Sequence, residues 1–222
     1  MPNASQEPPV THASRVFLLS PANCTGVRAR ILMSPHASFD LALRLRAGGA
    51  TLGEVFSFLS GLYFRGKLAY ARAFAQPPDP AAPLSGGGAL VITTNSGLRS
   101  PDTPVSLRAL QAFAKGSISV ASAAYTRALL TSARAVRDEV GDDCEVVLLG
   151  SIATPKYVDI LLSVFDGRLC FPADFVGRGD MSRGGLMLRC AQSGEELGYV
   201  PVKGAVRHGA RPPKLEPIRH RA

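Results

Sequence analysis

Most of the candidate chemistry of this chain sits between Val146 and Arg189, VVLLGSIATPKYVDILLSVFDGRLCFPADFVGRGDMSRGGLMLR. Arg178 and Arg183 are forked donors suited to phosphate or carboxylate, and Ser182 adds a hydroxyl beside them. Asp174 and Asp180 are the candidate catalytic carboxylates, able to act as a general base if partly buried. Gly177, Gly179, Gly184 and Gly185 allow close backbone approach. A structural turn pinned by Arg–Asp contacts accounts for the same residues, since polar glycine-rich turns are common.

Upstream, Gly150-Ser151 ends an apolar run, Thr154 can cap a helix, and Pro155 suits its first position. The first N–H groups of such a helix lack partners and form an anion site beyond the end of the preceding strand. Ser151, Thr154 and Lys156 are therefore candidate ligand contacts. Lys156 falls in the first turn, where the helix dipole disfavours a cation by roughly 0.3–1 kcal/mol. A bound anion removes that conflict; a solvated lysine is the plainer account.

Other candidates are more scattered. Asn23 and Asn95, each in a polar turn after an apolar run, could read the polar edge of a ring. In SGLYFRGKLAYARAFA (60–75), Tyr63 and Arg65 at a glycine-rich helix start could reach a planar or anionic ligand. The alternative is an amphipathic helix whose Arg65, Lys67 and Arg72 form a wet basic face, with Gly61 and Gly66 as breaks. Cys24 has no histidine near it in sequence, so it reads better as a buried thiol than as a nucleophile.

The elements that must position these groups follow from apolar patterning. Short apolar runs at 15–20, 89–93, 145–149 and 168–171 read as strands, each followed at once by a polar turn. Helical stripes lie between them, among them Tyr125, Leu129, Val136 and Val140 in a long helix over 121–140. Thr51 with Glu54 makes a capping box, and Val27–Met33 reads as a brief extended piece. Strands joined by helical crossovers are parallel. The expected fold is α/β: a three-layer sandwich with a four-stranded, mainly parallel central sheet and helices on both faces. An extra edge strand is possible at 197–202. All four polar turns would gather at the carboxyl edge, where open α/β sheets bind ligands.

One domain over 15–202 fits 222 residues with 46% hydrophobic content. Residues 76–88, with four prolines and three glycines, form a surface loop within it. Residues 1–14 read as a disordered N-terminus, and 203–222 as a disordered basic tail. That tail carries six Lys/Arg and one acid, so +5 of the net +8 lies there. It could add weak contact with nucleic acid through phosphates. Four cysteines and four histidines lack metal-ligand spacing, so neither metal nor cofactor is expected. No apolar run approaches ~18 residues and no leader pattern opens the chain, which predicts a soluble, cytoplasmic protein with no membrane contact.

The pieces FLLSPANCTG, GLYFRGKLAYARAFA, LLGSIATPKYVDIL and FPADFVGRGDMSRGGLMLR resemble an uncharacterised bacterial protein family over roughly residues 15–202. That resemblance implies no activity. The strand order and the LYFRGKLAYARAF piece are similar, more faintly, to small proteins of the uracil-DNA-glycosylase-like fold, tRNA-modification relatives included. Their water-activating motif and histidine-containing closing motif are not found, so no catalytic residue carries over. Two functions are thus expected. One is an enzyme acting on a nucleotide, nucleoside or nucleobase by N-glycosidic or related transfer or hydrolysis. The other is a non-catalytic nucleotide or nucleic-acid binding module. In both, the primary partner is a small anionic ligand or nucleotide.

Overall fold

The computed structural model describes residues 14–213 and Leu215. In chain order the elements begin with β1 (Arg15–Leu19), α1 (Val27–Met33), α2 (Asp40–Ala47), β2 (Ala50–Thr51), α3 (Leu52–Ser60) and α4 (Leu62–Phe74). Next come β3 (Ala89–Ile92), β4 (Leu98–Arg99), β5 (Pro104–Val105), α5 (Leu107–Lys115) and α6 (Ala123–Val140). The last group is β6 (Glu145–Leu149), α7 (Pro155–Phe165), β7 (Leu169–Pro172), α8 (Asp180–Ser193) and β8 (Tyr199–Pro201).

Unbroken apolar strands persist only where both faces are covered. Val16–Leu19 and Val146–Leu149 are such strands, fully buried in the core. β1 pairs in parallel with β3 on one side and β6 on the other, and β6 pairs in parallel with β7. β4 and β8 add antiparallel edges, giving the order β4-β3-β1-β6-β7-β8. The sheet therefore has six strands where four and a possible edge strand at 197–202 were expected; β8 falls within that range, and β4 is the addition. β4 is a two-residue strand returned by a tight turn, in which Thr93 N–H and Oγ1 both donate to Gly97 O. A strand that short has no period to detect. β2 and β5 form a separate antiparallel ribbon.

From β1 the chain first adds β3 to one side, then crosses to the other side for β6. The strand order reverses between β1 and β6, and the loops leaving their carboxyl ends diverge to leave a crevice.

Several local expectations change. Val27–Met33 is a helix, not an extended piece: Ala29 and Leu32 are buried at i, i+3 spacing, and the Val/Arg alternation before them is exposed. Gly66 does not break α4. It lies inside the helix because α4 crosses α8 there, where a β-carbon on Gly66 would stand 2.5 Å from Gly184 O. The Thr51–Glu54 capping box is present.

The N-terminal residues 1–13 lie outside those described, whereas Ser14 already accepts a bond from Glu145 N–H. Residues 203–213 form no helix or strand, yet they do not stand free of the domain. Arg178 Nη1 donates to Pro213 O at 3.4 Å, and Arg207 lies 3.8 Å from Asp159. Residues 216–222 fall outside the described part. Among the described residues no helix is long and apolar enough to cross a membrane.

Candidate active site

Ser20 is the first residue past β1, and its N–H donates to Leu149 O at the end of β6. The two strand ends are thus tied side by side, and both following loops start from the carboxyl edge of the sheet. Between them opens a cleft of about 450 Å³. Its walls come from the β1 loop (Ser20, Pro21, Asn23), the β6 loop (Ser151, Thr154) and the start of α7 (Lys156, Tyr157). Ser60, Tyr63, Ile118 and Asp180 complete them.

Six of the sequence candidates meet here: Asn23, Tyr63, Ser151, Thr154, Lys156 and Asp180. Asn23 accepts from Thr25 N–H and Thr25 Oγ1 through its amide oxygen, and its NH2 is not used in either bond. Thr154 occupies the N-cap position of α7 but its side chain makes no capping bond. Pro155 follows it, so the first N–H groups free at this helix end belong to Lys156 and Tyr157.

The other candidates lie elsewhere. Arg65 is exposed and outside the cleft. Asn95 is exposed beside a separate depression lined by Ser106 and Phe113, because β3 turns straight back into β4. Asp174 is exposed, and its carbonyl accepts from Arg178 Nε. Arg178 also donates to Ser182 Oγ at 3.3 Å, and both residues border a different groove, with Arg189 and Arg211. Arg183 is held by two bonds to Phe175 O, at 3.1 and 2.8 Å, with its guanidinium over the Phe175 ring. It is a pin for the turn before α8. The expected ligand loop is half helix, since α8 already starts at Asp180. Its glycines do allow close approach, but of the protein's own backbone: Gly184 meets Leu62 and Tyr63 of α4, and Gly177, at φ +73°, meets Ala210.

The residue that sequence reasoning missed is Lys67. It is completely buried under the cleft, not part of a wet face. Its Nζ lies 2.5 Å from Ser20 O and 2.9 Å from Ser20 Oγ. The rings of Tyr63 and Phe64 stand 4.3 and 5.0 Å from the same nitrogen. Burial drives its pKa down to about 7, with nearby Asp180 pulling up and Arg183 pushing further down. A visible sign existed: Lys67 falls three residues after Phe64 and four before Ala71, within the buried stripe of α4.

Two tyrosines frame Ser20. Tyr157 Oη donates to Ser151 O at 3.0 Å, and burial raises its pKa. Tyr63 is buried, its hydroxyl has no partner among the described residues, and burial pushes its pKa up to about 12. Cys24 is a closed thiol beside the β1 loop, bonded to Ala22 O, with burial raising its pKa to about 12. Among the described residues no group of His, Cys, Asp and Glu has the makings of a metal site. The arrangement offers an amine near its neutral point beneath a polar cleft, an unpartnered phenol, and helix N–H groups at the rim. No protein-family model, curated protein or solved structure matches the chain.

Proposed function

We propose that the chain is an enzyme whose β1–β6 cleft takes a nucleotide, nucleoside or nucleobase and catalyses a group transfer or hydrolysis on it. The observation that carries this reading is Lys67. A fully buried lysine costs several kcal/mol if charged, and a methionine would fill the same space without that cost. Its nitrogen is instead directed at a serine in the cleft, near the pKa of a useful general base. The ligand class is supported by the lining: Tyr63 and Tyr157 offer aromatic walls, Asn23 an amide for a ring edge, and Lys156 with the α7 N–H groups an anion seat.

This reading takes the domain as a three-layer sandwich with helices on both faces of the sheet. It places the enzyme in the cytoplasm, where Cys24, Cys144, Cys170 and Cys190, all free and buried, stay reduced. The resemblance to uracil-DNA-glycosylase-like proteins enters it only through the order of strands and the LYFRGKLAYARAF piece. A second reading, a binding module for nucleotides or nucleic acid, is favoured by the groove with Arg178, Arg189 and Arg211, whose lining among the described residues contains no acid.

The test is a thermal-shift panel of nucleoside monophosphates, nucleosides, bases and sugar phosphates, followed by a product assay on each stabilising compound. A true ligand at a hundred times its Kd adds about 2.7 kcal/mol of stability. Asn23→Ala and Lys156→Ala should reduce that shift, and Lys67→Met should abolish turnover. A panel in which nothing shifts, or a shift indifferent to Asn23 and Lys156, sinks the reading.

A further inference from the structure

We propose that Ser20 and Lys67 form a nucleophile–base pair that takes the acyl group of a small ester and holds it as a covalent Ser20 ester. The proposal rests on the cleft being an active site and gives that site its reaction type.

The geometry is that of an activated hydroxyl. Ser20 borders the cleft, and its Oγ lies 2.9 Å from Lys67 Nζ. The same nitrogen lies 2.5 Å from Ser20 O, so an N–H donates to the carbonyl while the amine lone pair can accept the Oγ proton. Tyr63 and Phe64 wall off the rest of the amine. A lysine kept only to cap the carbonyl just past β1 would need the first bond and not the second. Desolvation of this kind activates amines as bases. The charged groups facing it are Asp180 and Arg183, both from α8, and they act in opposite senses. Tyr157, from α7, borders the same space: a β-carbon on Gly150 would stand 3.0 Å from its hydroxyl and 3.2 Å from Ser20 Oγ.

In the first step Ser20 Oγ bonds to the acyl carbon while the proton on Oγ moves to Lys67 Nζ. The bond from the acyl carbon to the ester oxygen then breaks, and Lys67 returns the proton to the departing alkoxide. In the second step a water oxygen bonds to the acyl carbon, its proton passes to Lys67, and the Ser20 ester bond breaks. Lys67 returns that proton to Ser20 Oγ. The sum is ester plus water to acid plus alcohol, with no change of oxidation state.

The experiment uses p-nitrophenyl acetate and, separately, a fluorophosphonate, on the full chain, with stopped-flow release and peptide mass mapping. The expected result is a burst of p-nitrophenol, with the acetyl or phosphonyl group on Ser20. Ser20→Ala and Lys67→Met should each lower the burst rate about a hundredfold or more. In the unaltered chain the labelling rate should rise through about pH 7, as the amine loses its proton. This profile serves as the test if Lys67→Met fails to fold. An adduct only on other residues, no adduct at all, or a rate flat from about pH 6 to 9, overturns the pair. If nucleoside monophosphates still stabilise the protein in those cases, the cleft remains a ligand site and only the dyad falls. If stabilisation is absent as well, the reading beneath it falls too.

Discussion

Lys67 is where a single side chain governs both stability and chemistry. In the unfolded chain its amine protonates with the ordinary pKa of 10.5, and in the fold at about 7. Between those values the unfolded state holds more protons, so stability must rise with pH across that window. Below about pH 7 both states are charged and the full burial cost is felt. Above about 10.5 neither is charged and the cost is gone. The slope contributed is at most about 1.4 kcal/mol per pH unit. Tyr63 and Cys24, both raised by burial, act with the opposite sign at higher pH. Comparison with Lys67→Met cancels them. The methionine variant should therefore be the more stable protein at pH 6, by on the order of a few kcal/mol, with the gap closing toward pH 10. Denaturant unfolding at pH 6, 8 and 10 measures this, and parallel curves for the two proteins contradict it. Residue type alone pointed the wrong way here. Arg65, two positions earlier, is exposed as expected of a cation, and only the position of Lys67 within the Phe64–Ala71 stripe marks it as internal.

The helices carrying the site depend on a crossing that no local pattern reveals. Gly66 in α4 and Gly184 in α8 are in backbone contact although far apart in sequence. Each looks, taken alone, like a helix breaker. The strand–turn–helix from β6 into α7 was far more readable, since its strand, turn, proline and stripe are contiguous. A β-carbon on Gly66 would stand 2.9 Å from Gly184 Cα as well as 2.5 Å from its carbonyl oxygen, and neither backbone atom can rotate away. Gly66→Ala must push α8 outward, costing about 1–3 kcal/mol as overpacking usually does. At roughly 2–4 °C per kcal/mol for a domain of this size, the melting point should drop by several degrees. Gly185→Ala is the control. Its β-carbon would make only ordinary contact, 3.5 Å from Leu215 Cδ1, and alanine favours a helix by up to ~1 kcal/mol. If both variants melt alike, the close crossing does not hold the two helices.

At the scale of the molecule, strand order explains why the cleft that gathers most of the candidates lies between the β1 and β6 loops. Polar turns follow β1, β3, β6 and β7, yet only those after β1 and β6 flank the reversal of the sheet. The four strand runs and their polar turns were visible in the sequence. Their order across the sheet was not, because pairing depends on which crossover passes which face. The tail is the other long-range feature, and by composition this basic, proline-bearing stretch reads as disordered. Yet Lys203 Nζ lies 2.8 Å from Asp166 Oδ1, Arg207 pairs with Asp159, and Pro213 O accepts from Arg178. Gly209 and Ala210 lie against Val176 and Gly177, so closely that a β-carbon on Gly209 would stand 2.6 Å from Val176 Cγ1. Exposed ion pairs contribute about 0–1 kcal/mol each and weaken with salt, whereas backbone packing does not. Deleting residues 206–222 should thus cost roughly 1–2 kcal/mol, lowering the melting point by a few degrees. Part of that loss should persist at high salt. The same deletion removes Arg211 from the groove with Arg178 and Arg189, so binding to a short oligonucleotide should become weaker and less salt-dependent. An unchanged melting point would mean that the tail adds only charge; a loss that vanishes at high salt would mean that ion pairs alone hold it.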